Sequence, residues 1–324
     1  MLENFNIPIG DWADALFDWI NATFTWLLDF ISLVLGWVVE NLADGLNAVP
    51  PVLMIIILAA IAWFFRSWQM AIGTVVTMVL VVGMGMWENA MLTLALVLVA
   101  TLVAILIAIP VGIAAARNDT FSMIVKPILD FMQTMPAFIY LLLAVVFFHI
   151  GFVPGVFATV LFAIAPGVRM TELGIRGVDS ETVEAGKAFG ATPSQILRGI
   201  QLPLAMPSIM AGVNQVIMLS LSMAVVAGMA GADGLGKEVI AAITTINIPL
   251  GINAGLGIVF LAIYLDRVTA ALGTPAEFKG SLLGKIQRKR GHARDARADA
   301  AAAAAAEAKK LEQVGPKRAG SSLV

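Results

Sequence analysis

The chain reads as an all-α protein, a polytopic transmembrane helical bundle of about seven spans. Composition is the first reason. Of its 324 residues, 60% are hydrophobic and 13% are charged, and mean hydropathy is +0.91. A soluble core rarely needs that much apolar surface. The second reason is periodic. Apolar runs recur at roughly 50–65, 68–86, 90–116, 128–149, 153–170, 205–230 and 250–272, each near the ~20 residues a spanning helix requires. The third is a contrast: between two of these runs, residues 184–203 form a polar, charged, helix-forming island.

Taken in order, the first 50 residues differ from the rest. At 100° per residue, Asp11, Asp14, Asp18, Asn21, Thr25, Asp29, Ser32, Gly36 and Glu40 share one stripe, with Trp12, Trp19, Phe24, Leu27, Phe30 and Val34 outside it. That pattern predicts an amphipathic helix lying along the outer interface, its acidic stripe toward water. An extra tilted span over 24–39 is the alternative, and Asp29 argues against it. The basic n-region of a cleavable signal is missing here. Residues 51–86 form two short accessory spans divided only by Arg66-Ser67-Trp68. The main transmembrane domain covers 87–278, with a cytoplasmic loop at 179–203. Gly151 and Pro154-Gly155 break the fourth span from the fifth. From 279 to 324 a basic, alanine-rich tail has helix propensity but no apolar face, so it is expected to be solvated, with basic anchors near the anionic leaflet.

Orientation follows from lysine and arginine. With the N-terminus outside and the C-terminus in the cytoplasm, all but Lys237 of the 20 basic residues fall inside. The loop at 184–203 is then cytoplasmic.

Other classes are disfavoured. Net charge is −2 and there is no cysteine, so neither a nucleic-acid footprint nor a disulfide or thiolate site exists. His149 and His292 are too far apart in sequence for a metal cluster, and His149 reads as an interfacial residue. No catalytic cluster of a membrane enzyme is evident. A self-powered transporter or channel would need intramembrane ionisable residues, but 199–232 and 239–265 contain none and 131–168 offers only His149.

The loop itself has legible local chemistry. Asp179-Ser180 can cap a short helix starting near Glu181 and running to Phe189. Gly190 reads as its left-handed C′ residue. Thr192 then caps a second helix with Pro193 at N1 and Gln195 closing a capping box, and Leu202-Pro203 is expected to end the segment at the membrane. Two helices pinned at a glycine make a compact knob, whose Val183, Ala188 and Phe189 suit a groove on a partner.

Glu184, Ala185, Gly190, Ile200, Leu202 and Pro203 resemble, in type and spacing, the EAA loop of bacterial ABC-importer permeases. Gly186 departs from the strict motif, which has a second alanine there. Over roughly 88–272 the chain is similar to the permeases of glycine betaine/proline betaine (quaternary ammonium) importers. The segments that carry this are DFMQTMPAFIYL at 130–141, GATPSQIL at 190–197, QLPLAMPSIMAGVNQVIMLSLSM at 201–223, ADGLG at 232–236 and LDR at 265–267. The resemblance implies a type I ABC importer permease fold in the bacterial inner membrane. It implies a second permease copy (a homodimer being the simpler form), two ATPase subunits gripping the loops, and an extracytoplasmic substrate-binding protein. It also implies ATP and Mg used by the partner ATPase, with no cofactor in this chain, and a role in osmoprotection. Phosphate-binding G-x-x-x-x-G-K-[ST] is missing from this sequence, as such a division of labour requires. Choline, carnitine, an amino acid or another osmolyte remain alternative substrates.

Candidate path residues are the polar and soft side chains of the spans: Gln133 and Thr134 at the start of the fourth, and Asn214, Met218 and Ser222 on the sixth. Each either lines the path or joins helices. Arg169, Glu172 and Arg176 share a helical face and are expected to form an ion-pair cluster that orients the loop.

Overall fold

The computed structural model describes residues 8–273 and 280–281, and every element among them is helical. The expected tail therefore lies outside the described residues apart from Gly280 and Ser281, as do residues 1–7. Helices run in the order α1 (Ile9–Ala48), α2 (Pro51–Phe65), α3 (Trp68–Gly83), α4 (Trp87–Arg117), α5 (Asp119–Thr134), α6 (Ala137–Phe148) and α7 (Phe152–Arg176). There follow α8 (Ser180–Ala188), α9 (Pro193–Ile196), a π turn (Leu197–Gln201), α10 (Leu202–Ala227), a 3-10 turn (Gly228–Ala230), α11 (Leu235–Thr245) and α12 (Ile248–Gly273).

The centre is a three-helix stack of α4, α7 and α10, and small residues let the backbones close up. A Cβ on Gly167 of α7 would meet Ala108 of α4 at 2.9 Å and Val216 of α10 at 3.1 Å. On Gly212 of α10 it would meet Met170 Cβ at 2.7 Å. Around this stack Met91, Leu96, Val97, Val156, Leu235 and Leu261 are fully buried. The hairpin α2–α3 leans on α12, where the Tyr264 hydroxyl donates to the Leu58 carbonyl at 3.2 Å.

The all-α bundle matches the expected fold, and its helices differ from the expected spans in four places. First, α1 is a single 40-residue helix with one kink at Phe24. Its acidic stripe is exposed as expected, with Asp11, Asp14, Asp18, Asp29 and Glu40 all on the surface. Its second half is not peripheral: Leu35, Val38, Val39, Leu42 and Leu46 pack into the main core. By length and composition it is one of five helices able to cross a membrane, the others being α4, α7, the continuous rod from Pro193 to Ala230, and α12. Second, α2 and α3 have 15 and 16 residues, shorter than a straight crossing of ~20.

Third, the expected continuous span 128–149 is two helices. α5 and α6 meet at Met135-Pro136 with a 99° bend. Proline removes the amide that would carry the helix on and bars the residue before it from helical geometry; Met135 sits at ψ 134. Counting the pair as one gives up to six spans. Fourth, Leu202-Pro203 does not end the loop segment. The chain passes from α9 through the π turn straight into α10, the Leu202 amide donating to the Leu197 carbonyl. The widened turn accommodates a proline that cannot bond back to Gly199. α11 is an additional helix where the sequence suggested only a connection. The Leu235 amide at its start donates to Thr93 Oγ1 at 2.8 Å, and Asn89 donates to Glu238 Oε1 at 3.1 Å.

Candidate functional site

The loop at 179–203 forms as its capping signals dictate. Asp179 Oδ1 accepts from the Glu181 amide at 3.1 Å and opens α8. At the other end the Gly190 amide donates to the Lys187 carbonyl at 2.9 Å, and the Ala191 amide to the Gly186 carbonyl at 3.1 Å. These two bonds are a Schellman closure, and they require the left-handed φ of +79° at Gly190. The capping box of α9 is complete: Thr192 donates to Gln195 Oε1 at 2.8 Å and Gln195 to Thr192 Oγ1 at 3.4 Å.

The two short helices fold onto one another. A Cβ at Gly186 would lie 2.7 Å from Ile200 Cδ1, so the glycine lets α8 sit close to the π turn. Ile196 and Leu197 are buried beneath. Glu184 and Ala185 are exposed, Ile200 and Leu202 are half-buried, and Pro203 is exposed. Phe189 is 93% exposed at the tip. The ring takes no part in the knob's own packing. Behind the knob an open cleft of about 530 Å³ runs between Arg117, Ile175, Val183, Lys187 and Gln201.

Where α7 hands over to the loop, charges fix its exit. Buried Glu172 accepts from the Ser122 hydroxyl at 2.7 Å and pairs with Lys126 at 3.2 Å and Arg176 at 2.9 Å. Arg176 also pairs with Asp119 at 2.7 Å and donates to the Ala115 carbonyl at 2.7 Å. Arg169 pairs with Asp130 rather than with Glu172. Of the expected cluster only Glu172 and Arg176 pair with each other; Arg169 stands apart from them, and the remaining partners are on α5 or at its start. Asp119, Ser122, Lys126 and Asp130 recur at helical spacing, a signal the sequence contained.

The candidate path residues divide. Asn214 is held between helices: its amide donates to Asp266 Oδ1 at 2.7 Å, and its oxygen accepts from Thr269 at 3.1 Å. This is the helix-joining alternative. Gln133, Thr134, Met218 and Ser222 are all exposed. They also share one level. Met132 packs in one cluster with Ile164, the midpoint of α7, and Tyr140 meets the Phe162 ring at 6.1 Å. On α10, Gly167 approaches Val216 and Gly155 approaches Ala227, so Met218 and Ser222 stand level with 160–165 of α7. Tyr140 donates its hydroxyl to the Met132 carbonyl across the break.

A bundle of apolar spans that closes on small residues, opens a broken helix at mid-depth and projects a rigid knob at its basic end is a membrane transport subunit. Residues 108–273 match the model of one such family, described as binding-protein-dependent transport system inner membrane component, and the chain belongs to that family. It is thus a multi-pass inner-membrane permease component. It is 46% identical over 275 residues to the glycine betaine transport system permease protein OpuAB of Bacillus subtilis, covering 85% of this chain and 98% of that one. Identity is 42% to the glycine betaine/proline betaine permease protein ProW of Escherichia coli, over 85% of this chain and 78% of the relative. It is 45% to the glycine betaine/carnitine permease protein GbuB of Listeria monocytogenes, over 84% and 97%. Among solved structures, an inward-facing MetNI methionine ABC transporter chain aligns with a TM-score of 0.52 at 22% identity, over 56% of this chain and 91% of that one. That likeness concerns the fold.

Proposed function

We propose that this chain is the permease subunit of an ATP-driven importer of glycine betaine or a related compatible solute. The observation that carries this is the 46% identity running across 98% of a glycine betaine permease. The working unit is two copies of this chain, two ATPase subunits and an extracytoplasmic binding protein. Glu184, Ala185, Gly186, Phe189, Gly190, Ile200, Leu202 and Pro203 form the coupling knob. Its support is the exposed Phe189 on a doubly capped frame. Closure of the ATPase dimer, which binds ATP and Mg, moves the knobs and rocks the bundle between inward and outward states.

The chain divides into 1–50, the accessory helices 51–86, the permease domain 87–278 and the tail 279–324. Its N-terminus lies outside and its C-terminus in the cytoplasm. Were α1 to cross the membrane, only the N-terminus would change sides, because residues 1–65 contain no lysine or arginine. The test is uptake of radiolabelled glycine betaine in cells stripped of their own betaine uptake and given this chain with its neighbouring ATPase and binding protein. ATP-dependent accumulation is expected. Accumulation of a different solute, with none of betaine, would overturn the substrate assignment.

A further inference from the structure

The accessory hairpin α2–α3 needs a fastening. Its helices, at 15 and 16 residues, are shorter than a straight crossing of ~20. Both lie outside residues 108–273, the part that matches the family model. Between helices in lipid there is no hydrophobic drive, so association rests on close packing and hydrogen bonds. The hairpin has both along α12. Met54, Ile55, Leu58, Met78 and Val81 enter the main core. The Tyr264 hydroxyl donates to the Leu58 carbonyl, and at the α2–α3 corner Arg66 Nη1 donates to the Arg267 carbonyl at 3.3 Å.

The corner is also met by a segment from the other end of the chain. α12 ends at Gly273, and at Gly280 the backbone lies against Ser67, which caps α3 by accepting from the Met70 amide at 3.2 Å. A Cβ on Gly280 would stand 3.1 Å from Ser67 Cβ and 3.6 Å from Ser67 Cα. A residue without a side chain sits this close without displacing the corner. Ser281, next along, is fully buried. The tail expected to be solvated from 279 onward therefore starts with a seated pair. Arg66, beside Ser67, grips α12 one residue from Asp266, whose carboxylate holds Asn214 of α10. The seat thus adjoins the polar contact between α12 and the helix that rises from the knob. So close a contact has no side chain to yield, and the hairpin cannot slide past α12 without unseating it.

We infer that Gly280–Ser281 is a brace. Seated on the Ser67 corner, it joins α2, α3 and α12 into one stationary body, and α10 moves against that body at the Asn214–Asp266 contact during transport. The seat stands on the chain's own contacts; the movement of α10 rests on the importer reading above.

The chain contains no cysteine, so a paired substitution reports the seat directly. Ser67→Cys with Gly280→Cys starts from 3.1 Å between Cβ atoms, close to the usual disulfide separation of about 3.5–4.5 Å. Ser67→Cys with Thr245→Cys is the reference pair. Each complex with its ATPase is purified in nanodiscs and oxidised without nucleotide and ATP-trapped. Closure is read as linked peptides from the monomer band by mass spectrometry. The 67–280 pair should close in both states and the reference pair in neither. Closure in one state only would mean that the segment leaves its seat, and closure in neither that it is not seated; either overturns the brace. A third chain joins Ser67→Cys to Gly280→Val, whose bulk should unseat the segment and quicken maleimide labelling at position 67 relative to Ser67→Cys alone. An unchanged rate would count against the seat. In proteoliposomes with the binding protein, the oxidised 67–280 complex should import betaine at the rate it shows after reduction, and a block relieved by reductant would overturn the brace. No betaine uptake by the unsubstituted complex would remove the substrate assignment, while closure in the two states would still decide the brace.

Discussion

The Asn214 amide donates to the Asp266 carboxylate at 2.7 Å, joining α10 to α12 within the bundle. Thr269 completes the group by donating to Asn214 at 3.1 Å. A carboxylate in a membrane helix is costly unless it is paired, and Asp266 has Asn214 on one side and Arg267 at 3.6 Å on the other.

Asn214→Leu and Asp266→Leu should therefore each destabilise the complex, and the double variant should lose less than their sum. A coupling of about 0.6–1.7 kcal/mol is expected from comparable membrane pairs. Thermal unfolding in detergent reads it. Additive losses would mean that the two side chains do not depend on each other.

Gly190 holds a left-handed conformation with open space around its Cα. Gly190→Val introduces no clash, only backbone strain, worth about 1–2 kcal/mol for an ordinary residue and more for a β-branched one. The knob should distort while insertion stays normal, and betaine-stimulated ATP hydrolysis should separate from uptake. Normal uptake by this variant would refute the coupling role of the loop.

Phe189→Ala should leave folding untouched, because the ring has almost no contact with its own chain. Capture of the ATPase by the tagged permease should fall at least roughly tenfold, the usual weight of an aromatic anchor. Full capture would place the ATPase contact elsewhere on the loop.

Glu172→Gln keeps the shape of the charged network but leaves Lys126 and Arg176 without their shared carboxylate. Both cations reach solvent, so the loss should stay near 1–3 kcal/mol, that of a buried charged hydrogen-bond acceptor. Limited proteolysis near 117–119 and 177–179 should accelerate, reporting a loosened α5 and loop exit. An unchanged cleavage pattern would argue that packing alone positions α5.

The caps and the turn of the knob were legible in the sequence because their determinants are local: a cap, a glycine and a capping box act within three or four residues of themselves, whereas the run through Leu202-Pro203 into α10 was not foreseen. The break at Pro136 was hidden by the apolar run on either side of it, although proline is a known stop. Residues 128–149 looked like one span by hydropathy alone. Asn214 could not be assigned to a role from sequence, since its partner lies 52 positions away. The α5 half of the charge network was overlooked for a different reason: the helical spacing of Asp119, Ser122, Lys126 and Asp130 has meaning only once α7 is known to lie alongside.

From Pro193 to Ala230 the chain is one helical rod of 38 residues, about 57 Å long at 1.5 Å per residue. It carries the π turn, Pro203 and Pro207 near the knob, yet the helix runs on across all three into the depth of the bundle. A torque applied beside Phe189 is therefore delivered along a stiff shaft rather than through a chain of soft joints. Met218 and Ser222 are mounted on that same shaft. Turning it would change the direction in which these two exposed side chains point, without α10 having to slide along its own axis.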